Sequence, residues 1–509
     1  MRRVFIFAIG GTGSRVLRSL SMLLAAGIKG MDSDLELVPI IIDYDVVNGD
    51  KSIATDCLDT YLKIHKSITK EYKDDSFFMT GLSRLKDVAT PGGQKGSDIQ
   101  SQNFDIYFGP VTTNTLFSDE VQYNLMTGNL DLCHSLFEAL YNDLPETDLM
   151  GNENKDTEIN LNLKKGFKGN PNIGSVVFDK LKDTEEFKHF QAVFNPTSDK
   201  VFVISSIFGG TGSSGFPQIV NSIRFNNMPG VASACIGAVI VLPYFKIQPG
   251  TGAIDSNNFN SKTKAALSFY ETSGLNNRLN ATYYIGDPEA TQLGDHDGGS
   301  EQKNNAHIVE LLSALSIVHF CCKPSHDGHD AYEYGITNNQ TVLNLSNIYD
   351  EDKRIHFDYV TRFAYMVKYY RDVLEGKRNR IKSNESFYAG LKLSNKIGKD
   401  AYKDFEHFIS LFEKWLEELQ NNAHQFKPYL LDSNMKMTRF LSDKPLEENK
   451  LLPDALNDAD FTKRMNDTFS KEKATLTPDK ETEVFFRIMR NTSLEILNKV
   501  QNLKASKKQ

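Results

Sequence analysis

KVFVISSIFGGTGSSGFPQIVNSIRF, residues 200–225, passes from an apolar run through a glycine turn into a helical pattern. KVFVISSIF reads as a buried strand. GGTGSSG is the turn, and Ile219, Val220 and Ile223 share one face of the helix that follows. A second stretch repeats this plan at the start of the chain. VFIFAI (4–9) enters Gly10-Gly11-Thr12-Gly13-Ser14, and RVLRSLSMLLAAG then carries Val16, Leu17, Leu20, Leu23 and Leu24 at helical spacing as far as Gly27. Glycine lets a backbone turn tightly and come close to a phosphate. The bare N–H groups at the helix start favour an anion. Thr and Ser hydroxyls add donors. One such turn is a weak signal. Two of them, about 200 residues apart, fit a polyphosphate gripped from two sides.

The runs around these turns give an α/β chain. LELVPIIIDYD (35–45), ASACIGAVIVLPYF (232–245) and ATYYIGD (281–287) read as further strands of a parallel sheet. KTKAALSFYETSG reads as a helix, and NNAHIVELLSALSIVHFCC (304–322) as a long, mostly buried one. Residues 46–195 are polar with weak periodicity and read as an insertion. Within it LCHSLFEALYNDL (132–144) looks like an amphipathic helix, and 150–175 like a loop. From about 350 onward the pattern is helical. One stripe carries Phe357, Val360, Phe363, Val367 and Tyr370. Another carries Phe405, Phe408, Phe412, Trp415 and Leu419, and VFFRIMRNTSLEIL is a third helix. These stripes suit helix packing, or a docking face for a partner. A basic tail, KASKKQ, is expected to be disordered. The expected division is a nucleotide-binding domain over 1–325 and a mostly helical region over 326–509.

The second glycine turn resembles the signature of the tubulin/FtsZ superfamily, Gly-Gly-Gly-Thr-Gly-Ser/Thr-Gly, and more closely the FtsZ version that continues to a proline. Gly209 through Gly212 and Pro217 keep that spacing. IIIDYD, VIVLPYF and ATYYIGDP resemble the family's next strands, and the helix from about 304 resembles its long central helix. The resemblance covers roughly residues 1–322 and is that of a divergent bacterial tubulin-like protein. It implies a Rossmann-type GTPase domain holding GTP or GDP with Mg2+. Gly10, Gly11, Thr12 and Gly13 would touch the α and β phosphates. Gly209, Gly210, Thr211, Gly212 and Ser213 would hold phosphates as well. Asp43 or Asp45 would lie at the ribose or metal edge, and Asn305 or His307 would read the guanine. A third phosphate loop could be ATPGGQKGS (89–97) with Gly92 and Gly93; its plainer reading is a surface turn.

The resemblance also implies head-to-tail self-assembly, with hydrolysis completed by acids of the neighbouring subunit. The family's Asn-x-Asp-x-x-Asp string is missing after residue 320. Asp327 and Asp330 are the nearest acids, with Asp358 more remote. Phe208 and Ser214 replace the first and last signature glycines. The family's β-rich C-terminal domain is not visible. Two alternatives stay open. One is a GTP/GDP-binding interaction protein that does not polymerise and recruits a partner through its C-terminal helices. The other is an NAD-dependent enzyme using Gly11, Gly13 and the acids at 43 and 45.

Other classes are disfavoured. The 509 residues carry a net charge of −8, which argues against a broad nucleic-acid face. The five cysteines are odd in number and mostly apolar in setting, which suits a reducing cytoplasm. The apolar run after Arg2 and Arg3 is too short for a signal peptide, and no stretch reaches the ~18 apolar residues of a membrane span. His319, Cys321, Cys322, His326 and His329 cluster without the spacing of a zinc site, so no metal ligand is assigned. There is no P-loop string, no G-x-S-x-G and no H-E-x-x-H.

Overall fold

The structure is a computed structural model. It describes the chain except residues 1, 29, 32–33, 46, 69–75, 109–114, 127–129, 142–157, 164–165, 168, 248–258, 288–290, 294–299, 301, 324, 327, 336–341, 344–350, 376–384, 430–457 and 506–509. Seven parallel strands form one sheet: β1 (Arg2–Ile9), β2 (Leu35–Ile42), β3 (Gly81–Leu82), β4 (Lys200–Ser206), β5 (Cys235–Val241), β6 (Ala281–Gly286) and β7 (Asp330–Gly335). Their order across the sheet is β3-β2-β1-β4-β5-β6-β7. Parallel strands need crossovers that cover both faces. Hence the central strands are apolar on both sides, and Phe5, Ile6, Phe7, Val201, Phe202 and Val203 are all fully buried.

The expected α/β architecture is therefore present, with three differences. First, residues 46–195 are not simply inserted. They supply the helix Gly49–Lys66 and edge strand β3. That helix buries Ala54, Cys57, Leu58, Tyr61 and Leu62, a helical spacing diluted by the charges between them. Second, the glycine stretches are not loops ahead of their helices. They form the first turns of the helices Gly10–Ala25 and Gly210–Arg224. Third, β7 lies beyond residue 325 yet pairs with β6 in the same sheet. The helix expected over 132–144 spans Asp131–Tyr141, and residues 142–157 lie outside the described residues.

The C-terminal helices are packed onto this sheet domain. Lys403–Leu419 lies on Gly49–Lys66. Phe408 meets Phe78 edge-on at 5.2 Å, and Phe412 meets Phe363 at 4.9 Å. Trp415 Nε1 donates to Ser19 Oγ on the first helix at 3.1 Å. Val360, Phe363, Val367, Tyr370, Phe405, Phe408, Phe412, Trp415 and Leu419 are all buried. Both aromatic stripes are thus covered by the chain itself, and the docking reading of those faces is withdrawn; the Phe357 side chain lies outside the described residues. The last helix, Glu481–Ala505, runs into the tail expected to be disordered. KVQNLKA contains no glycine or proline to stop it. No helix among the described residues is long and apolar enough to cross a membrane.

Candidate functional site

Sheet order decides where a ligand fits. β1 is followed by β2 on one side, while its other neighbour is β4. The order reverses there, and the connections leave in opposite directions. This opens a crevice at the carboxyl ends of the strands, where ligands of doubly wound sheets bind. Both glycine turns sit at this crevice, one after β1 and one after β4. A Cβ on Gly10 would stand 3.3 Å from Thr211 Cβ, so the two turns touch.

The two helices that start here lack the usual caps. Ile9 and Gly209 are their N-caps, and neither makes a side-chain cap hydrogen bond. Neither helix has an acid in its first turn. Their first N–H groups and positive dipole ends are left for an anion. Gly10 adopts φ +67°, a backbone that a side chain resists. Gly13 and Gly212 serve another purpose. A Cβ on Gly13 would lie 2.6 Å from the Ala8 carbonyl carbon, and one on Gly212 would lie 2.3 Å from Ser206 O. They let each helix press against its own strand. Gly11, Gly209, Thr211 and Ser213 are the partly exposed members. Ser213 Oγ turns back to Gly209 O at 2.5 Å, and Thr12 Oγ1 accepts from Arg15 at 3.3 Å.

A third glycine turn, unforeseen in the sequence, completes this wall. Gly166 and Gly169 have φ of +74° and +83°. A Cβ on Gly210 would stand 2.9 Å from Gly169 N and 3.0 Å from Asn170 N. Lys262 Nζ donates to Gly169 O at 3.0 Å. The Gly92–Gly93 stretch is instead an exposed turn closed by Thr90 N–H donating to Gln94 O. The signal that separates the two is G-x-x-G-N-P, a paired-glycine turn leading into a proline-started helix at Pro171.

Asp43 and Asp45 follow β2 at the same edge of the sheet, and both are buried. Asp45 N–H donates to Asp43 Oδ1 at 3.1 Å. Burial pushes the Asp43 carboxyl up to about 7. Lys51 opposes that rise and the neighbouring Asp45 charge adds to it.

The chief omission of the sequence reading is the buried cluster around Arg15. Its Nη1 meets Asp50 Oδ2 at 2.5 Å, its Nε meets Glu310 Oε1 at 2.5 Å, and its Nη2 donates to Tyr244 at 2.7 Å. Tyr244 in turn donates to Glu310 at 2.7 Å. A Cβ on Gly11 would lie 3.5 Å from Arg15 Nη1 and 3.4 Å from Asp50 Oδ2, so this cluster backs the first glycine turn. Such long-range pairs leave no local pattern in a sequence.

The central helix, Ile308–Cys322, begins at this edge too. His307 caps it: Val309 N–H donates to His307 Nδ1 at 3.1 Å, while His307 N–H donates to Glu310 Oε2 at 3.0 Å. The ring is buried, and burial together with His424 and Arg15 pushes its pKa down to about 3. Its Nδ1 is committed to the cap and its Nε2 is buried without a hydrogen-bond partner among the described residues, whereas Asn305 is exposed.

Of the two acids assigned to catalysis, the one that is described lies elsewhere. Asp327 is outside the described residues. Asp330 opens β7, the edge strand four places from β1, so it stands roughly 20 Å from the glycine turn after β1 across the sheet. It pairs with Lys323 and receives a 3.5 Å hydrogen bond from Tyr332. The neighbouring histidines and cysteines disperse. His319 meets Tyr283, His326 meets Phe320 O, and His329 meets Leu279 O. Among the described residues no three such side chains converge as a metal site would need. No protein-family model matches this chain, and no curated protein matches it.

Proposed function

We propose that this chain is a divergent tubulin-like protein that binds GTP or GDP in the crevice between β1 and β4. One observation carries the proposal: two uncapped, acid-free helix starts meet at the switch point of the sheet. Gly10, Gly11, Thr12 and Gly13 would line one side of the phosphates. Gly209, Gly210, Thr211, Gly212 and Ser213 would line the other. Asn305, exposed ahead of the central helix, is the better base reader of the two residues considered. The buried Asp43–Asp45 pair suits a divalent cation such as Mg2+, whose charge would offset theirs.

In this reading the loop amides stabilise charge that develops on the phosphates. Asp330, on the far edge strand of the sheet, cannot reach its own crevice. Asp330 would serve only a neighbour stacked head to tail, and such heterologous contacts build open filaments. Hydrolysis would then depend on protein concentration. A sedimentation assay with GTP tests the assembly, in a setting we take to be the cytoplasm. A pellet that grows with concentration supports filaments.

A second reading drops both assembly and efficient hydrolysis. It is favoured by the pairing of Asp330 with Lys323, which occupies the carboxylate. It predicts no pellet at any concentration. A third reading, an NAD-binding enzyme, draws on Asp43 at the end of β2, where such enzymes hold a ribose. It leaves the second uncapped helix without a role. Titration with labelled GTP, ATP and NAD separates this third reading from the first two, and the sedimentation assay separates those.

A further inference from the structure

The turn that leads into the central helix is held from outside the sheet domain. Its residue 306 is gripped at both backbone groups by one segment of the C-terminal region. Ala306 N–H donates to Glu418 Oε2 at 2.9 Å, and Asn422 Nδ2 donates to Ala306 O at 2.8 Å. Glu418 is itself fixed by Arg18 on the first helix at 2.5 Å, and Asn422 also donates to Glu418 O at 3.1 Å. The segment continues along the same edge. Ala423 N–H donates to Thr291 Oγ1 at 3.1 Å, and His424 Nδ1 meets Asp287 Oδ2 at 2.6 Å. On the near side, Asn304 donates from its backbone N–H and its side chain to Asp50, at 3.0 and 3.2 Å. Asn305 is therefore an exposed residue between two tethered ones.

We propose that Glu418 and Asn422 are positioning residues for base recognition, through which the C-terminal helical region sets the pose of Asn305. This inference rests on the guanine-nucleotide reading given above. Preorganised backbone makes a hydrogen-bonding site selective, because a loose donor or acceptor gives little discrimination between bases. Glu418 and Asn422 hold backbone on the base side of the crevice. The hydrogen bonds of Asn422 go to Ala306 O and Glu418 O and not to the glycine turns, and Glu418 reaches the first helix at Arg18, beyond its glycine turn. Loss of the grip should therefore cost base selectivity and leave phosphate binding intact.

The test uses the full chain and the isosteric variant Asn422→Asp, which keeps the shape and removes the donor to Ala306 O. Asn422→Ala is its partner variant, free of any added charge. Affinities for GTP, ATP and inorganic tripolyphosphate are measured for each, at a temperature well below the melting point of that variant. The expected result is a roughly tenfold fall in the preference for GTP over ATP, with unchanged tripolyphosphate affinity. A lower melting temperature with unchanged preference would make Asn422 merely structural and overturn the inference. Parallel loss of GTP and tripolyphosphate binding would overturn it as well. If the parent chain itself shows no preference for guanine, the underlying nucleotide reading fails and the inference falls with it. If the parent selects guanine and both variants select it equally, only the inference falls.

Discussion

Among the helices that begin at the carboxyl edge of this sheet, four show two contrasting kinds of start. Gly49–Lys66 and Ile308–Cys322 satisfy their own first N–H groups. Asn48 accepts from Asp50 N–H and Lys51 N–H, while His307 and Glu310 form a reciprocal box. Each also carries an acid in its first turn. Gly10–Ala25 and Gly210–Arg224 have neither device. The difference separates helices whose first N–H groups are capped by the protein from helices whose starts lack a side-chain cap and an acid. An uncapped start forgoes about 1 kcal/mol of local stability, and a bound phosphate would restore it.

The strongest way to break this contrast is at the signature turn. Gly210→Ala combined with Thr211→Ala should lower GTP affinity by roughly a thousandfold, about 4 kcal/mol. The new methyl would drive into the Gly169–Asn170 backbone. Fluorescent GTP titration checks this, and unchanged affinity would remove the turn from the site. Gly212→Ala has a smaller effect of another kind. Its Cβ would meet Ser206 O, so the helix must lift from its strand, at a cost of about 1–3 kcal/mol in urea unfolding.

Asp43 gives a pH test. Its folded pKa of about 7 lies above its ordinary 3.8. Between those values the native chain holds a proton that the unfolded chain has released. The Asp43 contribution is thus fully present at low pH and is lost as pH rises toward about 7. Asp43→Asn should remove that slope. Urea midpoints at pH 5 and pH 8, without nucleotide or magnesium, should show the variant gaining on the parent at the higher pH. A constant difference between the two would contradict the assignment. The smallest effect belongs to a self-capped helix. Asn48→Ala should cost about 1 kcal/mol of stability by the same assay, because the carbonyl that accepts from Asp50 N–H and Lys51 N–H is lost. A cost near zero would show that caps do not distinguish these helices.

Much of this was legible in the sequence because it is local. Apolar runs ending in glycine mark β1 and β4, and each turn announces its helix by composition. The switch point followed only once strand order was known, since no residue encodes which strands become neighbours. Gly49–Lys66 was missed although Ala54, Cys57, Leu58, Tyr61 and Leu62 keep helical spacing; its small and polar-tipped members weaken the apolar signal. The Arg15–Asp50–Glu310 cluster and the grip of Asn422 on Ala306 join residues up to hundreds of positions apart. Pairings of that kind come from tertiary packing. The aromatic stripes showed that they would be buried, and the fold supplied what buries them.

The most direct measurement is to denature the freshly purified protein and identify the nucleotide it releases by ion-exchange chromatography. The account predicts GTP or GDP, released by the parent chain and missing from the Gly210→Ala, Thr211→Ala double variant. Release of NAD, or a preparation that neither carries nor takes up guanine nucleotide, would contradict it.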